Sequence, residues 1–253
     1  MPEVRSLTAA YGYDGSLAGF YCCVFESFMR KEMPLDISVD DDQGSLLESR
    51  WVETQPEHAL RVRKGIEQKL TSRALDLVET VFYSCLPHRE LALLRFLHPA
   101  FRDGPEALSR LADPLLAPLL KAEGHLHREC HLLSGFIRFV EFEGKLASTI
   151  GPKNFVLPYL KNHFSDRYSN EIFLIYDETH QSALLHEPGQ PVRIARMEQP
   201  PVYTISDEEA RYQALWRQFF ETIGIAGRKN PICQRGHLPK RYWGYMTEMR
   251  DRL

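Results

Sequence analysis

Basic side chains alternate with polar and aromatic ones between residues 228 and 243, a stretch that we call the basic segment. Arginine and lysine neutralise phosphates, glutamine bonds to oxygens or base edges, and aromatic rings stack on bases. The alternative is a basic tail that favours solubility, with Tyr242 and Trp243 anchoring a last helix in the core. In this segment the residues predicted to contact nucleic acid or phosphate are Arg228, Lys229, Gln234, Lys240 and Arg241.

Arg138 is a charged residue in an otherwise apolar stretch that runs from Phe136 to Phe142. A charge on an apolar strand face costs several kcal/mol unless it is paired or exposed for a function. The pattern favours an ion pair with a carboxylate such as Glu129 or Asp177. The other interpretation is that Arg138 binds an anion in a cleft.

Three more candidate phosphate ligands, Lys161, His163 and Arg167, lie on a predicted helix that begins near Asn154. His163 and Arg167 are one helical turn apart, so both could reach the same phosphate. The pattern slightly favours the other interpretation, in which these residues are the solvated face of a surface helix, and the sequence leaves both interpretations open.

Asp14, Arg138, His163 and Asp177 each fall near the end of a predicted element, which raises the possibility of an enzyme. Gathered in one pocket, they would combine carboxylates, a base and an anion ligand, a set suited to a nucleotide or a modified base. The sequence has no Gly-rich phosphate loop and no G-x-S-x-G elbow. It therefore favours a protein that is not catalytic by itself.

Metal and cofactor sites are not indicated by the spacing of the potential ligands. His127 and His131 are four residues apart, but no third ligand is apparent. The acidic run Asp40–Asp42 lacks the alternating ligands of a calcium loop. The five cysteines form no C-x-x-C pair, which indicates reduced thiols and argues against an iron–sulfur cluster. We expect no metal and no cofactor.

Charge is unevenly distributed along the 253 residues, whose formal net charge is −3. Residues 26–57 carry a balance of −6, and residues 224–253 carry a balance of +5. This polarity indicates a basic face on an acidic body, with the acidic stretch as an alternative contact for a protein partner. No apolar run approaches the roughly 18 residues of a membrane helix, and the N-terminus lacks a signal-peptide layout. We therefore expect no membrane association and a cytoplasmic location.

These groups need a scaffold, and the periodicity predicts one compact α+β domain over residues 1–253. Residues 14–134 are predicted to be rich in helix, residues 135–200 rich in strand, and residues 206–253 helical again. We expect the helical half to pack against a mainly antiparallel sheet, in which a hairpin at Glu143–Gly144 leads into a meander.

Two local predictions concern the elements around Arg138 and the basic segment. The stretch from Phe136 to Phe142 is predicted to be a strand. Ser206 and Glu209 form a capping box, after which an apolar stripe from Tyr212 to Ile223 is typical of a helix that packs one face on the core.

Three longer stretches carry a resemblance to a known family, with shorter matches between them. They are residues 13–28 (YDGSLAGFYCCVFESF), 135–139 (GFIRF) and 230–243, the last through Asn230-Pro, Gln234 and Leu238-Pro-Lys-Arg-Tyr-Trp. In these residues the chain resembles the bacterial "probable DNA metabolism" proteins, which contain a domain of unknown function. In that family the domain is typically encoded beside a putative DNA-repair radical S-adenosylmethionine protein. It also occurs fused ahead of a uracil-DNA glycosylase domain.

The resemblance runs from Tyr11 to about Glu248 and implies a role in bacterial DNA repair or modification. It supplies no known catalytic residues that could be transferred to this chain. The chain also lacks the cysteine cluster of those glycosylases and the thiolates of a radical enzyme. The resemblance thus implies an accessory protein that binds nucleic acid, a partner radical enzyme or uracil-DNA glycosylase, or both.

Overall fold

The computed structural model describes residues 9–39, 48–228 and 230–250. The chain divides into two compact units, residues 1–126 and residues 127–253. Both units contain helices and a sheet, so the prediction of a mixed α+β fold is confirmed at that level. The existence of one domain over the whole chain stays a prediction.

The first unit has a three-stranded sheet in which β1 lies between β2 and β3, and both pairings are parallel. Parallel pairing requires a crossover, which a helix between β1 and β2 supplies. The strands are β1 (Ala9–Gly12), β2 (Ile37–Ser38) and β3 (Glu48–Trp51). The helices are α1 (Leu17–Arg30), α2 (Pro56–Lys69), α3 (Ser72–Phe82) and α4 (Arg89–Asp103), followed by a 3-10 helix (Gly104–Ser109) and α5 (Ala117–Phe136), which contains the boundary between the units.

The start of α1 shows how local chemistry sets the end of β1. The hydroxyl of Ser16 accepts a hydrogen bond from the amide of Gly19 at 2.9 Å and so caps the helix. The carboxylate of Asp14 accepts hydrogen bonds from Ser16 and from Thr54. A side chain at residue 19 would overlap Asp14 and Tyr13, which explains the glycine there.

The second unit has a five-stranded sheet of order β4-β5-β6-β7-β8. Its strands are β4 (Val140–Phe142), β5 (Lys145–Ile150), β6 (Phe173–Asp177), β7 (Ser182–His186) and β8 (Arg193–Arg196). Its helices after α5 are α6 (Leu157–Arg167), α7 (Asp207–Thr222) and α8 (Pro231–His237), with 3-10 helices at Ala226–Arg228 and Lys240–Tyr245.

The prediction of a mainly antiparallel sheet is wrong, because the three-stranded sheet is parallel and the five-stranded sheet is mixed. The pair β5 and β6 is parallel, with Leu146 opposite Phe173 and Ile150 opposite Asp177. α6 connects these two strands and returns the chain to the end at which β5 began, which makes them parallel. The predicted hairpin between β4 and β5 and the antiparallel pairs of β6, β7 and β8 are present.

The predicted strand from Phe136 to Phe142 is also wrong in its first half. α5 continues to Phe136, and the strand begins only at Val140. Arg138 therefore lies on the connection between α5 and β4, where the alternation of strand faces does not apply.

The C-terminal residues of the second unit pack as the sequence predicts, although their helix is shorter and of the 3-10 type. Tyr242 is buried with Leu133, Ile150 and Phe164 in the main core of this unit. Trp243 is buried in a small cluster with Met246 and Met249, against which Phe136, Phe220 and Leu238 pack. The basic segment is thus anchored by its two aromatic residues.

Within the described part of the chain, no helix has the length and apolar character needed to cross a bilayer.

Candidate functional site

An open groove of about 930 Å3 runs between α6, α7 and the connection from α5 to β4. We call it the aromatic groove, because six aromatic residues line it. Residues of these elements line it together with Leu146 of β5 and Thr247; they are Ser134, Gly135, Ile137, Arg138, Phe139, Phe164, Arg167, Tyr168, Glu209, Tyr212, Gln213, Leu215, Trp216 and Phe219.

The α7 wall consists of large apolar side chains that remain in solvent. Tyr212, Leu215, Trp216 and Phe219 are between 40% and 61% exposed. No residue of α7 is buried, although the stripe predicts a helix packed on the core. Contiguous exposed apolar surface of this kind marks a site of interaction.

The helix itself and the cap at Ser206 are the parts of the α7 prediction that are confirmed. Its hydroxyl accepts a hydrogen bond from the amide of Glu209 at 3.0 Å. The carboxylate of Glu209 does not return this bond, because it accepts from the amide of Glu141 and from the side chain of Gln213. The carboxylate of Glu209, which lines the groove, is therefore already hydrogen-bonded within the chain.

The opposite wall is an aromatic cluster at the end of α6. The ring of Phe139 packs edge-on against Phe164 and Tyr168, with ring centres 5.7 Å and 5.1 Å apart. The rings of Phe164 and Tyr168 are nearly parallel to each other. Phe164 is buried, whereas Tyr168 is only partly buried and presents its ring to the groove.

Arg138 lines the groove, but its guanidinium is already bonded to other groups of the chain. Its guanidinium donates to the buried carboxylate of Glu248 at 2.6 Å and to the carbonyl of Gly135 at 2.9 Å. It also lies 5.5 Å from the ring centre of Trp216. An ion pair was the favoured interpretation, but its partner is Glu248 and neither Glu129 nor Asp177.

Glu248 is buried, and its surroundings favour the charged form of its carboxyl. Burial acts to raise the pKa of this carboxyl, but hydrogen bonds from the side chains of Arg138 and Trp216 hold the pKa below its usual range. This network fixes Trp216 on the groove wall.

Arg167 is the groove cation that remains available. It is exposed, its guanidinium lies 5.8 Å from the ring centre of Tyr168, and it forms no ion pair within the described residues. Lys161 and His163 are also exposed on α6, but neither lines the groove. Contact of these three residues with a phosphate stays a prediction.

Arg241 of the basic segment is likewise neutralised within the chain. It donates to the buried carboxylate of Glu129 at 2.8 Å, and Tyr242 donates to the same oxygen at 2.8 Å. Burial acts to raise the pKa of Glu129, but hydrogen bonds from the amides of Asn154 and Lys153 and from the side chains of Tyr242 and Asn154 hold this pKa below its usual range. The pKa of the Tyr242 hydroxyl is raised by burial and by the hydrogen bond to Glu129.

The remaining residues predicted in the basic segment differ in their surroundings. Arg228 and Gln234 are exposed, and Arg228 forms no ion pair within the described residues. Lys240 is exposed and lies 5.4 Å from the ring centre of Trp243. Lys229 lies outside the described residues. Contact of this segment with nucleic acid also stays a prediction.

The structure brings only Arg138 of the alternative enzyme pocket to the groove. Asp14 belongs to the first unit. Asp177 is fully buried and accepts hydrogen bonds from the amides of Thr179 and His180 and from the ring of His180 at 2.7 Å. Asp177 thus orders the turn that follows β6.

Metal ligands are not assembled in the described part of the chain, where no three His, Cys, Asp or Glu side chains are arranged to hold an ion. His127 lies near Tyr159 with ring centres 6.0 Å apart. The acidic run 40–42 lies outside the described residues.

The rings of Tyr168, Tyr212, Trp216 and Phe219 were not among the predicted site residues. The α7 stripe has the periodicity of a core-facing helix, and periodicity does not reveal whether another element covers it. A signal was present in the adjacent pair Phe219 and Phe220, because two neighbouring rings point to different faces. Only Phe220 packs against the small cluster around Trp243.

Comparison with known proteins identifies one relationship. The model of a domain family, described as a domain of unknown function (DUF4130), matches residues 87–248. No curated protein and no solved structure matches the chain.

Proposed function

The chain belongs to the DUF4130 family, and we propose that it is an accessory module of bacterial DNA repair or modification that binds single-stranded DNA. The observation that carries the proposal is the aromatic groove, which the exposed rings of α7 line together with the available guanidinium of Arg167. The resemblance to the "probable DNA metabolism" proteins is the support for the DNA-repair context.

The chemistry of the groove fits a flexible strand better than a duplex. Proteins that bind single strands stack successive bases on aromatic side chains and follow the backbone with basic groups. Tyr212 and Phe219 on one wall and Tyr168 on the other offer such rings. In a duplex the bases are stacked on each other, and their faces are not accessible to these rings.

The charges of the groove favour an anionic ligand. Glu209 already accepts two hydrogen bonds, and Arg138 is balanced by Glu248. Arg167 therefore adds a positive charge that no described carboxylate neutralises. On α6 the exposed residues Lys161 and His163 would extend this basic surface along a strand that leaves the groove.

The proposed partner is the radical S-adenosylmethionine protein or the uracil-DNA glycosylase with which the resembled family is associated. In this arrangement the module holds the strand and the partner performs the chemistry. Co-purification of the chain with each candidate partner, with and without single-stranded DNA, tests this part. Failure to form a complex under both conditions would remove the partner from the proposal and leave DNA binding to be judged separately.

The test of DNA binding is the fluorescence anisotropy of a labelled single-stranded oligodeoxynucleotide, titrated with the full chain at several salt concentrations. We expect the Tyr212→Ala variant to bind about tenfold more weakly, because one stacked base contributes about 1–3 kcal/mol. Tyr212→Phe retains the ring and should restore binding. A duplex of the same sequence should bind more weakly than the single strand.

A second pair of variants separates a specific contact of Arg167 with DNA from the general effect of removing one positive charge. Arg167→Ala should weaken binding and lower the slope of log K against log salt by about 0.7, the value for one lost contact to a single strand. Arg211→Ala is the matched control, because Arg211 is an exposed arginine of α7 that does not line the groove. Equal losses in the two arginine variants, or no binding of single-stranded DNA at low salt, would overturn the proposal.

A further inference from the structure

A second apolar depression, of about 230 Å3, lies on the surface of the first unit. We call it the cationic cleft. It lies between α1 and α2, with one residue from α4. Its lining residues are Val24, Phe25, Phe28, Met29, Arg61, Val62, Gly65, Lys69 and Phe101.

The walls of the cleft are apolar side chains that the fold leaves partly in water. Met29 is 63% exposed and Phe28 is 36% exposed. The ring of Phe28 packs against His98, stacked at 4.2 Å, and against Phe101, edge-on at 5.2 Å. A ring held in this way presents a rigid surface to an incoming side chain.

The depth of the cleft depends on a glycine in the middle of α2. Gly65 is a helical residue whose missing side chain would meet only the ring of Phe101, at 3.8 Å. Glycine costs a helix interior about 1 kcal/mol relative to alanine, and no positive φ angle requires it here. The space that it leaves is part of the cleft. An engineered protein cavity of about 150 Å3 holds benzene, so this cleft can accept one large apolar side chain.

The rim of the cleft carries one sign of charge. Arg61 and Lys69 line it, both are exposed, and neither forms an ion pair within the described residues. The guanidinium of Arg61 lies 5.7 Å from the ring centre of Phe25, so its charge stays directly above the apolar wall. No acidic side chain is among the residues that line the cleft.

We propose that the cationic cleft is a docking site for an acidic segment of a partner protein, which inserts one bulky apolar side chain beside flanking carboxylates. The apolar walls require an apolar anchor, and Arg61 and Lys69 select against a basic partner. The spacing of α1 and α2 suits an amphipathic helix laid along the cleft. The cleft and the aromatic groove have no lining residue in common, so this site does not depend on DNA binding.

The experiment selects displayed random 16-residue peptides for binding to the full chain and measures the affinity of the selected, labelled peptides by fluorescence anisotropy. We expect the selected peptides to be acidic and to carry a large apolar residue. Gly65→Phe should weaken their binding about tenfold or more, because the new ring fills the cleft. The substitution favours helix formation, and a Cβ atom at residue 65 meets no backbone atom within 4 Å, so we expect the variant to fold, which its circular dichroism will verify.

Charge reversal provides an independent variant and a matched control. Arg61→Glu combined with Lys69→Glu should weaken binding about tenfold or more. Lys64→Glu changes an exposed lysine of the same helix that does not line the cleft, and it should change binding less than about twofold.

Three results would overturn the proposal. One is a set of selected peptides that are neutral or basic, and another is peptide binding that is unchanged in Gly65→Phe. The third is a dimer of the chain in sedimentation that the Gly65→Phe variant loses, since this would assign the cleft to a second copy.

Discussion

The guanidinium of Arg138 contacts the carboxylate of Glu248 at 2.6 Å, although 110 residues separate them in the chain. The pair joins the connection after α5 to the residues that follow the basic segment. Glu248 is buried, and Arg138 also lies against Trp216 on the groove wall. One ion pair thus couples the position of a groove residue to the packing of the C-terminal residues.

Removal of Arg138 should therefore leave a buried carboxylate without its partner. We expect Arg138→Met to lower the free energy of unfolding by about 3 kcal/mol, the lower end of the range for broken buried pairs. The combined variant Arg138→Met and Glu248→Leu should recover part of this loss, because neither charge remains. Urea unfolding at pH 7 measures both. Equal stability of the single and double variants would contradict the role assigned to the pair.

Glu129 predicts how the stability of the second unit depends on pH. Its folded pKa lies below its ordinary value of 4.5, so its stabilising effect is fully present above that value. The effect is lost as the pH falls through the lowered folded pKa, because the unfolded chain then binds the proton more readily. Urea unfolding between pH 6 and pH 3 should show falling stability, with a shallower slope in Glu129→Gln.

A control for Glu129 is available on the protein surface. Glu143, in the exposed turn between β4 and β5, forms no ion pair within the described residues, so Glu143→Gln should retain the slope of the original protein. Identical slopes in all three proteins would show that Glu129 does not carry the pH dependence.

Features that depend on neighbours in the chain could be predicted from the sequence. The cap at Ser206 could be predicted because a serine stands three residues before Glu209, whose backbone amide lacks an acceptor within the helix. The burial of Tyr242 and Trp243 follows from two large rings within a short polar stretch. Each of these depends on local chemistry, which a single sequence contains.

Features that depend on distant residues could not be predicted in the same way. No local pattern connects Arg138 with Glu248, and the parallel pairing of β5 and β6 depends on the path of α6. Two of the residues predicted to bind phosphate, Arg138 and Arg167, line the groove, and their contact with a phosphate stays a prediction. Its rings were missed because an apolar stripe looks the same whether it is covered or exposed.

At Gly151 the backbone of the second unit lies close to the side chain of Tyr245. A side chain at this position would overlap the ring of Tyr245, whose hydroxyl donates to the carboxylate of Glu178. We expect Gly151→Ala to displace Tyr245 and to lower the free energy of unfolding by about 1 kcal/mol, the typical value of one hydrogen bond. Urea unfolding in a double-mutant cycle with Tyr245→Phe tests the coupling, and strictly additive losses would exclude it.

The exposure of α7 predicts that alanine substitutions of two adjacent phenylalanines change the free energy of unfolding by different amounts. Phe219 is 51% exposed on the groove wall, whereas Phe220 packs against the cluster of Trp243, Met246 and Met249. Phe219→Ala should change the free energy of unfolding by less than about 0.5 kcal/mol, as exposed substitutions do. Phe220→Ala should lower it by about 2 kcal/mol, because a partly buried ring leaves a gap. Urea unfolding at two protein concentrations measures both, and a loss in Phe219→Ala that grows with concentration would show that a second copy covers the stripe.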